Sequence, residues 1–241
     1  MKIKVIGAGG IGLSLLPTLA RFLNYEREKF PQPDLHIIDG DSYEDKNRPR
    51  QAFTEIGNKA TVTADSLRAE FPRIGIWDHP VFVDETNLIR HIREGDMVIL
   101  CVDNHATRKM VAARVAQIQN CTVISGGNDL VDGNVIVHIR RDGRDITPSL
   151  CDPNYHDDIA NSKDMHPGQS GQAGFCQAQA QSTPQILIVN NMIASIMLQA
   201  FWNLTDPETH AKIMANPVEY GEVFANMTTL RACPAPRYVN A

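Results

Sequence analysis

Residues 1–23 read MKIKVIGAGGIGLSLLPTLARFL. Lys2–Ile6 reads as a short buried strand. Gly7–Gly12 spells GAGGIG, and Ile11, Leu15, Leu16, Leu19 and Phe22 then recur at helical spacing. A strand, a glycine turn and a helix aim free N–H groups and the positive end of a helix dipole at an anion. Glycine serves where the backbone needs positive φ or where phosphate comes close. The stretch fits G-x-G-x-x-G, the dinucleotide turn, and equally G-x-G-G-x-G. Gly7, Gly9, Gly10 and Gly12 are therefore candidate phosphate-binding residues, with a purely structural turn as the alternative. At this point both NAD and ATP remain open.

Outward from that turn, apolar stretches and helical patterns alternate. Leu35–Ile38 reads as a second strand ending in Asp39, and 59–71 as a helix. A third strand lies within 74–83, and a short helix spans 87–93. Met97–Val102 is an apolar strand ending at Asp103, followed by a helix over 105–119 and a fifth strand over 122–125. This β-α repetition predicts an α/β, Rossmann-like, doubly wound and mainly parallel sheet, with ligands outside the carboxyl ends of the strands. The pattern then changes. Residues 130–140, broken at Asp132-Gly133, predict antiparallel strand material able to pair as a hairpin. A long polar crossover loop follows over about 143–175. A long apolar C-terminal helix runs over 184–204. Asn190 and Asn191 interrupt it, which suits a buried core or dimer-interface helix better than a membrane span. The expected organisation is one domain over 1–241: a nucleotide-binding half at 1–128, and a half at 129–241 for acceptor binding and dimerisation.

Bulk properties narrow the function. The 241 residues can bury a core without disulfides. A net charge of −5 offers no global basic footprint, so no nucleic-acid partner is expected. Arg140, Arg141 and Arg144 read as a solvated hairpin end. No membrane association is expected. The apolar start flows into a glycine turn that needs its strand, so it is not read as a signal peptide. Five scattered cysteines argue against a disulfide framework and for a reducing, cytoplasmic location.

The residues beyond Asp39 separate the two nucleotides. Asp39, at the end of strand two, suits the ribose hydroxyls of either, and Asp41 stands ready to help. The segment IIDGDSYEDKNRPRQAF adds Asn47, Arg50 and Gln51, and Lys59 follows in IGNKA. An arginine fork and a lysine beside a phosphate site suit a triphosphate, whereas NAD needs no such pair. Strand four ends in CVDNHATRK. A buried carboxylate at Asp103, with Asn104 beside it, suits Mg²⁺, which takes one or two carboxylates plus phosphate oxygens. Singly, Arg48, Arg50 and Lys59 would be solvated loop residues.

On these motifs the chain resembles the ubiquitin-activating-type adenylating enzymes, the ThiF and molybdopterin-synthase adenylyltransferase superfamily. The match comprises G-x-G-G-x-G at Gly7–Gly12, Asp39, N-x-x-R-Q at Asn47–Gln51, the lysine of G-x-K-A at Lys59, and D-N-x-x-T-R at Asp103–Arg108. The resemblance implies an enzyme that uses ATP and Mg²⁺ to convert a C-terminal carboxylate into an acyl-adenylate. That carboxylate would usually be the terminal glycine of a ubiquitin-like or sulfur-carrier protein. Asp39 would hold ribose, Asn47, Arg50 and Lys59 the phosphates, and Asp103 the metal. It also implies a homodimer built on the glycine loop and long helix. In that picture Gly10 lets the loop close over the phosphates.

Many relatives pass the acyl group to a cysteine, and Cys176, in GFCQAQAQSTPQ, falls at the family's place. Cys101 and Cys121 read as buried structural thiols. The paired C-x-x-C zinc motifs of many relatives are reduced to single cysteines, Cys151 and Cys233. Cys151, His156, His166 and Cys176 are too irregularly spaced for a confident zinc reading, and the two histidines read as loop residues. Relatives also carry an N-terminal helix that supplies an arginine to the neighbouring active site. Here the sequence opens on strand one, so that arginine is expected from elsewhere. Two alternatives stand beside the adenylating enzyme. One is an NAD-dependent oxidoreductase, supported by the glycines and Asp39 alone. The other is a non-catalytic subunit of a heterodimeric activating enzyme.

Overall fold

The computed structural model describes residues 1–49, 51–166 and 185–234. In chain order the first half comprises β1 (Lys2–Ile6), α1 (Gly10–Tyr25), β2 (Asp34–Ile38), β3 (Ser42–Tyr43), β4 (Gly57–Asn58), α2 (Lys59–Glu70), β5 (Gly75–His79), α3 (Leu88–His91), β6 (Met97–Leu100), α4 (His105–Val115) and β7 (Cys121–Asn128). There follow β8 (Asp132–Arg141), β9 (Arg144–Asp145), α5 (Asp157–Ala160), α6 (Gln185–Thr205), α7 (Pro207–Ala215), β10 (Glu222–Asn226) and β11 (Arg231–Pro234).

One sheet runs β5-β2-β1-β6-β7-β8-β10-β11, with β9 on β8. The five strands from β5 to β7 are parallel; β8, β10 and β11 extend them antiparallel. The chain winds outward from β1 through β2 to β5, then crosses back to β6 on the other side of β1. Connections therefore diverge between β1 and β6, which opens a crevice at their carboxyl ends. β6, MVIL, is covered on both faces and is accordingly an unbroken apolar run, whereas β1, KIKVI, carries the buried Lys4 between its apolar residues.

Helices α1 and α6 seal one face over Ile3, Val5, Ile37 and Ile99, with Leu15, Leu19, Ile193 and Phe201. The other face buries Ile6, Ile38, Val98 and Leu100 against Leu88, Val111 and Ile159. The inner side of α6 carries Val189, Ile193, Met197 and Phe201, fully buried. By length and composition, Leu187–Thr205 is apolar enough to cross a membrane, and its buried inner face belongs to this core.

Two elements differ from expectation. The hairpin turn falls at 129–131, not at Asp132-Gly133, and β7 runs on to Asn128. Gly133 sits inside β8, where a Cβ would strike the Gly127 carbonyl oxygen and meet Ile193 Cδ1 at 2.8 Å. Its glycine serves close packing against α6 rather than a turn. Helix α7 was not anticipated either. Its signal was legible: Asp206 accepts from Thr209 N at 3.0 Å, with Pro207 in the first turn.

Candidate nucleotide site

The glycine turn ends β1 at the crevice. Gly7 has φ +97°, and a Cβ there would lie 2.5 Å from the Cys101 carbonyl oxygen of β6's exit. A Cβ on Gly12 would strike Gly7's own carbonyl oxygen. These two glycines let β1, β6 and α1 meet. At Gly9 a Cβ would meet nothing within 4 Å among the described residues. Gly9 is also the N-cap of α1, brings no capping side chain, and is followed by no acidic residue in the first turn. The dipole end of α1 is thus left uncapped beside open space, a fit for phosphate. Gly10 departs from its expected part. A Cβ there would collide with the side-chain amide of Asn190 on α6, so its bareness admits the long helix rather than closing a loop on phosphates.

The end of β2 is tied to this turn. Asp39 accepts from Ala8 N at 2.7 Å and from Asp41 N at 2.9 Å. Burial pushes its carboxyl above the usual range, and Lys59 and the two amides oppose that shift. Tyr43, fully buried, donates to the Ala8 carbonyl at 2.7 Å and shares a hydrogen bond with Thr63 at 2.9 Å. Ala8 is therefore held at both its N–H and its carbonyl, one in each flanking peptide. Burial pushes the Tyr43 phenol well above its usual value, so it stays a donor.

Asp41 does not share Asp39's position. One of its oxygens pairs with Lys59 Nζ at 2.5 Å and the other accepts from Ser42 N at 2.8 Å. Lys59 opens α2 with its side chain 8% exposed. Asn58 caps that helix, accepting from Thr61 N at 3.2 Å, and donates to the carbonyls of Asp39 and Asp41, both at 3.0 Å. The structure thus brings Asp39, Asp41 and Lys59 together.

Asn47 is buried, and its side-chain oxygen accepts from Glu44 N at 2.9 Å in a short 3₁₀ turn. Gln51 N donates to the Asn47 carbonyl at 3.0 Å, and Gln51 Oε1 is buried without a partner among the described residues, an acceptor suited to a ligand. Phe53 stacks on Tyr43 with centroids 4.6 Å apart, and the Arg48 guanidinium lies 4.6 Å from the Phe53 ring centre. Arg50 and Cys176 lie outside the described residues.

Beyond β6, Asp103 is exposed, not buried as its position after an apolar strand suggested. The chain bends outward there before α4 begins. Asn104 caps α4, its side-chain oxygen accepting from Thr107 N at 2.8 Å, and Asp164 accepts from His105 N at 2.9 Å. The dipole end of α4 is thereby filled from within, in contrast to α1. Arg108 is buried beneath, donating to the carbonyls of Val102 at 3.0 Å and Gly126 at 3.1 Å. Gly127 makes room for it, since a Cβ there would lie 2.5 Å from Nη2.

No three His, Cys, Asp or Glu side chains gather in a metal-holding group among the described residues. Asp103 alone fits a cation that completes its shell from phosphate oxygens, as Mg²⁺ does. His156 and His166, read as loop histidines, are both buried. Burial pushes the thiols of Cys101 and Cys121 up to about 12, so they are inert packing residues. A cavity of about 460 Å³ lies at the opposite ends of the strands, beside Asp96, Cys121 and Thr122, and shares no residue with the glycine turn.

A doubly wound sheet with an uncapped glycine-turn helix at its switch point is the architecture of a nucleotide-binding domain. The chain belongs to the ThiF family, whose model matches residues 1–236. The SUMO-activating enzyme subunit uba-2 of Caenorhabditis elegans is 30% identical over 144 residues, which are 58% of this chain and 23% of that protein. The adenylyltransferase and sulfurtransferase UBA4 of Vanderwaltozyma polyspora is 27% identical over 147 residues, 59% of this chain and 32% of that protein. E. coli MccB, solved with ATP, shares the fold at TM-score 0.64 and 17% identity, covering 97% of this chain and 63% of MccB. The chain spans about a quarter to a third of the curated relatives it matches.

Proposed function

We propose that the protein is an adenylyltransferase that uses ATP and Mg²⁺ to activate the C-terminal carboxylate of a ubiquitin-like or sulfur-carrier protein. The observation that carries this reading is the convergence of an uncapped α1 N-terminus with Lys59, held beside Asp39 at the end of β2. The naming of UBA4 as an adenylyltransferase and of uba-2 as part of a SUMO-activating enzyme supports it.

In this reading the phosphates lie on the first turn of α1, in the open space over Gly9. Asp39 accepts a ribose hydroxyl, Gln51 Oε1 and Asn47 line the approach, and Arg50 is assigned to the phosphates on the N-x-x-R-Q motif alone. Lys59 leaves Asp41 for a phosphate oxygen and offsets charge as the carboxylate oxygen bonds the α-phosphorus. The bond to the β-phosphate oxygen breaks, and pyrophosphate leaves with its electron pair. Positioning and charge are what this transfer asks of a protein. Asp103 would hold Mg²⁺, which supplies further neutralisation of the phosphates. Onward transfer to Cys176, a homodimer and a cytoplasmic location complete the proposal.

The test is ATP–pyrophosphate exchange driven by peptides or small proteins ending in glycine, alongside calorimetry with ATP and with NAD. Exchange should appear with the right carboxylate and vanish in Asp103→Ala. Tight NAD binding without ATP binding would overturn the reading in favour of an oxidoreductase. ATP binding without exchange would instead mark a non-catalytic subunit.

A further inference from the structure

Asn58 lies outside every residue to which the sequence reading gave a role, yet three of its hydrogen bonds converge at the heart of the site. Its Nδ2 donates to the Asp39 and Asp41 carbonyls, each at 3.0 Å, while its Oδ1 caps α2 through Thr61 N at 3.2 Å. The next residue is Lys59, whose backbone N–H donates to the same Asp41 carbonyl at 2.8 Å and whose ammonium meets Asp41 Oδ2 at 2.5 Å. β4 adds a short antiparallel pairing in which Asn58 faces Ser42.

We propose that Asn58 is a positioning residue that fixes the spacing between Asp39 and Lys59, and so between the ribose-binding and phosphate-binding ends of the site. The inference rests on the adenylyltransferase reading for the meaning of that spacing, but not for the spacing itself.

The chemistry singles out asparagine. A side chain here must supply an acceptor for the helix cap and two N–H donors for two carbonyls at once, and the short amide does all three. Serine or aspartate preserves the cap acceptor but not the pair of amide donors. Aspartate would also set a carboxylate against two carbonyl oxygens. Without the donors, no side chain ties the Asp39 carbonyl to the start of α2; the Asp41–Lys59 contacts and the β3–β4 pairing remain, and Lys59 can drift with Asp41 relative to Asp39. A misplacement of about 1 Å at such a site costs up to about a hundredfold in rate.

The experiment uses the full chain carrying Asn58→Ser, Asn58→Asp or Asn58→Ala, with Lys59→Ala as control. Three readouts are taken: the melting temperature, ATP–pyrophosphate exchange, and the rate of Lys59 acetylation by an N-hydroxysuccinimide ester. Acetylation is followed by mass spectrometry, with the exposed Lys212 as internal reference. The Ser and Asp variants keep the cap and should melt above the Ala variant, with Asp below Ser, while exchange falls about tenfold or more and Lys59 acetylates several-fold faster. The Ala variant should lose melting temperature as well. Parent-like exchange and parent-like Lys59 protection in Asn58→Ser would reduce Asn58 to a helix cap and overturn the proposal. If the parent shows no exchange with any carboxylate, the adenylyltransferase reading fails while the acetylation rates still decide whether Asn58 holds Lys59. If one conservative variant does not fold, the other provides the same decision.

Discussion

Replacing Gly10 by alanine separates packing from phosphate binding. A methyl group there would overlap the Asn190 amide, with Cγ at 2.8 Å. Asn190 is only 4% exposed, so its side chain has no solvent route of escape. Overpacking of this kind costs about 1–3 kcal/mol. If Asn190 is the obstacle, removing it should remove the cost. In an Asn190→Ala background the same methyl should be nearly neutral, because helical alanine regains up to about 1 kcal/mol over glycine. The coupling in the four-member cycle should therefore reach about 1–2 kcal/mol, measured by urea unfolding. Gly9→Ala is the companion. It faces open space, so it should change stability by about 1 kcal/mol or less. It should nevertheless weaken ATP binding at least tenfold by calorimetry, since its methyl projects into the space proposed for phosphate. Costs for Gly10→Ala and Asn190→Ala that add within about 0.5 kcal/mol would refute the packing argument. So would a Gly10→Ala protein of parent stability that no longer binds ATP.

Two other perturbations test the scaffold around the site. Tyr43→Phe removes the hydroxyl that holds Ala8 and leaves Thr63 without that partner, so unfolding free energy should fall by about 1–2 kcal/mol. A loss below about 0.3 kcal/mol would show that Ala8 does not need the tether. On the outer side of the sheet, burial holds His36 and His91 down to about 4, against a usual value of 6.5, and His36 Nδ1 lies 2.9 Å from His79 Nε2. The unfolded chain takes up protons first, so their contribution is intact above pH 6.5 and is lost as pH falls toward 4. Urea midpoints should decline over that window, and His36→Gln/His91→Gln should flatten the decline; an unchanged slope would show that these rings do not govern it.

The sheet was legible because apolar stretches alternate with helical patterns, β6 being apolar throughout, and because Gly7–Gly12 has few uses other than a strand-to-helix turn. The positions of Asp39, Lys59 and Asp103 at strand or helix ends followed from the same alternation. What each does there was less legible. Asp41 reads as a second ribose acid, but folding sets it against Lys59. Asp103 reads as buried because it follows an apolar strand, but the chain bends outward before α4 begins. Asn104 reads as a ligand and is spent on capping α4. Tyr43 and Asn58 escaped notice, and Arg108 entered only as the last residue of a motif, because their partners are largely backbone carbonyls, which carry no sequence signature.

The sequence by itself determined the order of strands and helices, the phosphate-type turn and the family, because these depend on local periodicity and on residues a few positions apart. The tertiary structure decided which glycine faces ligand and which faces protein. Gly9 looks onto open space and Gly10 onto Asn190, 180 residues further along the chain. The two are identical in chemistry and adjacent in sequence. Only the placement of α6 against α1 tells them apart, because a glycine's meaning is set by whatever occupies the volume its missing Cβ would fill.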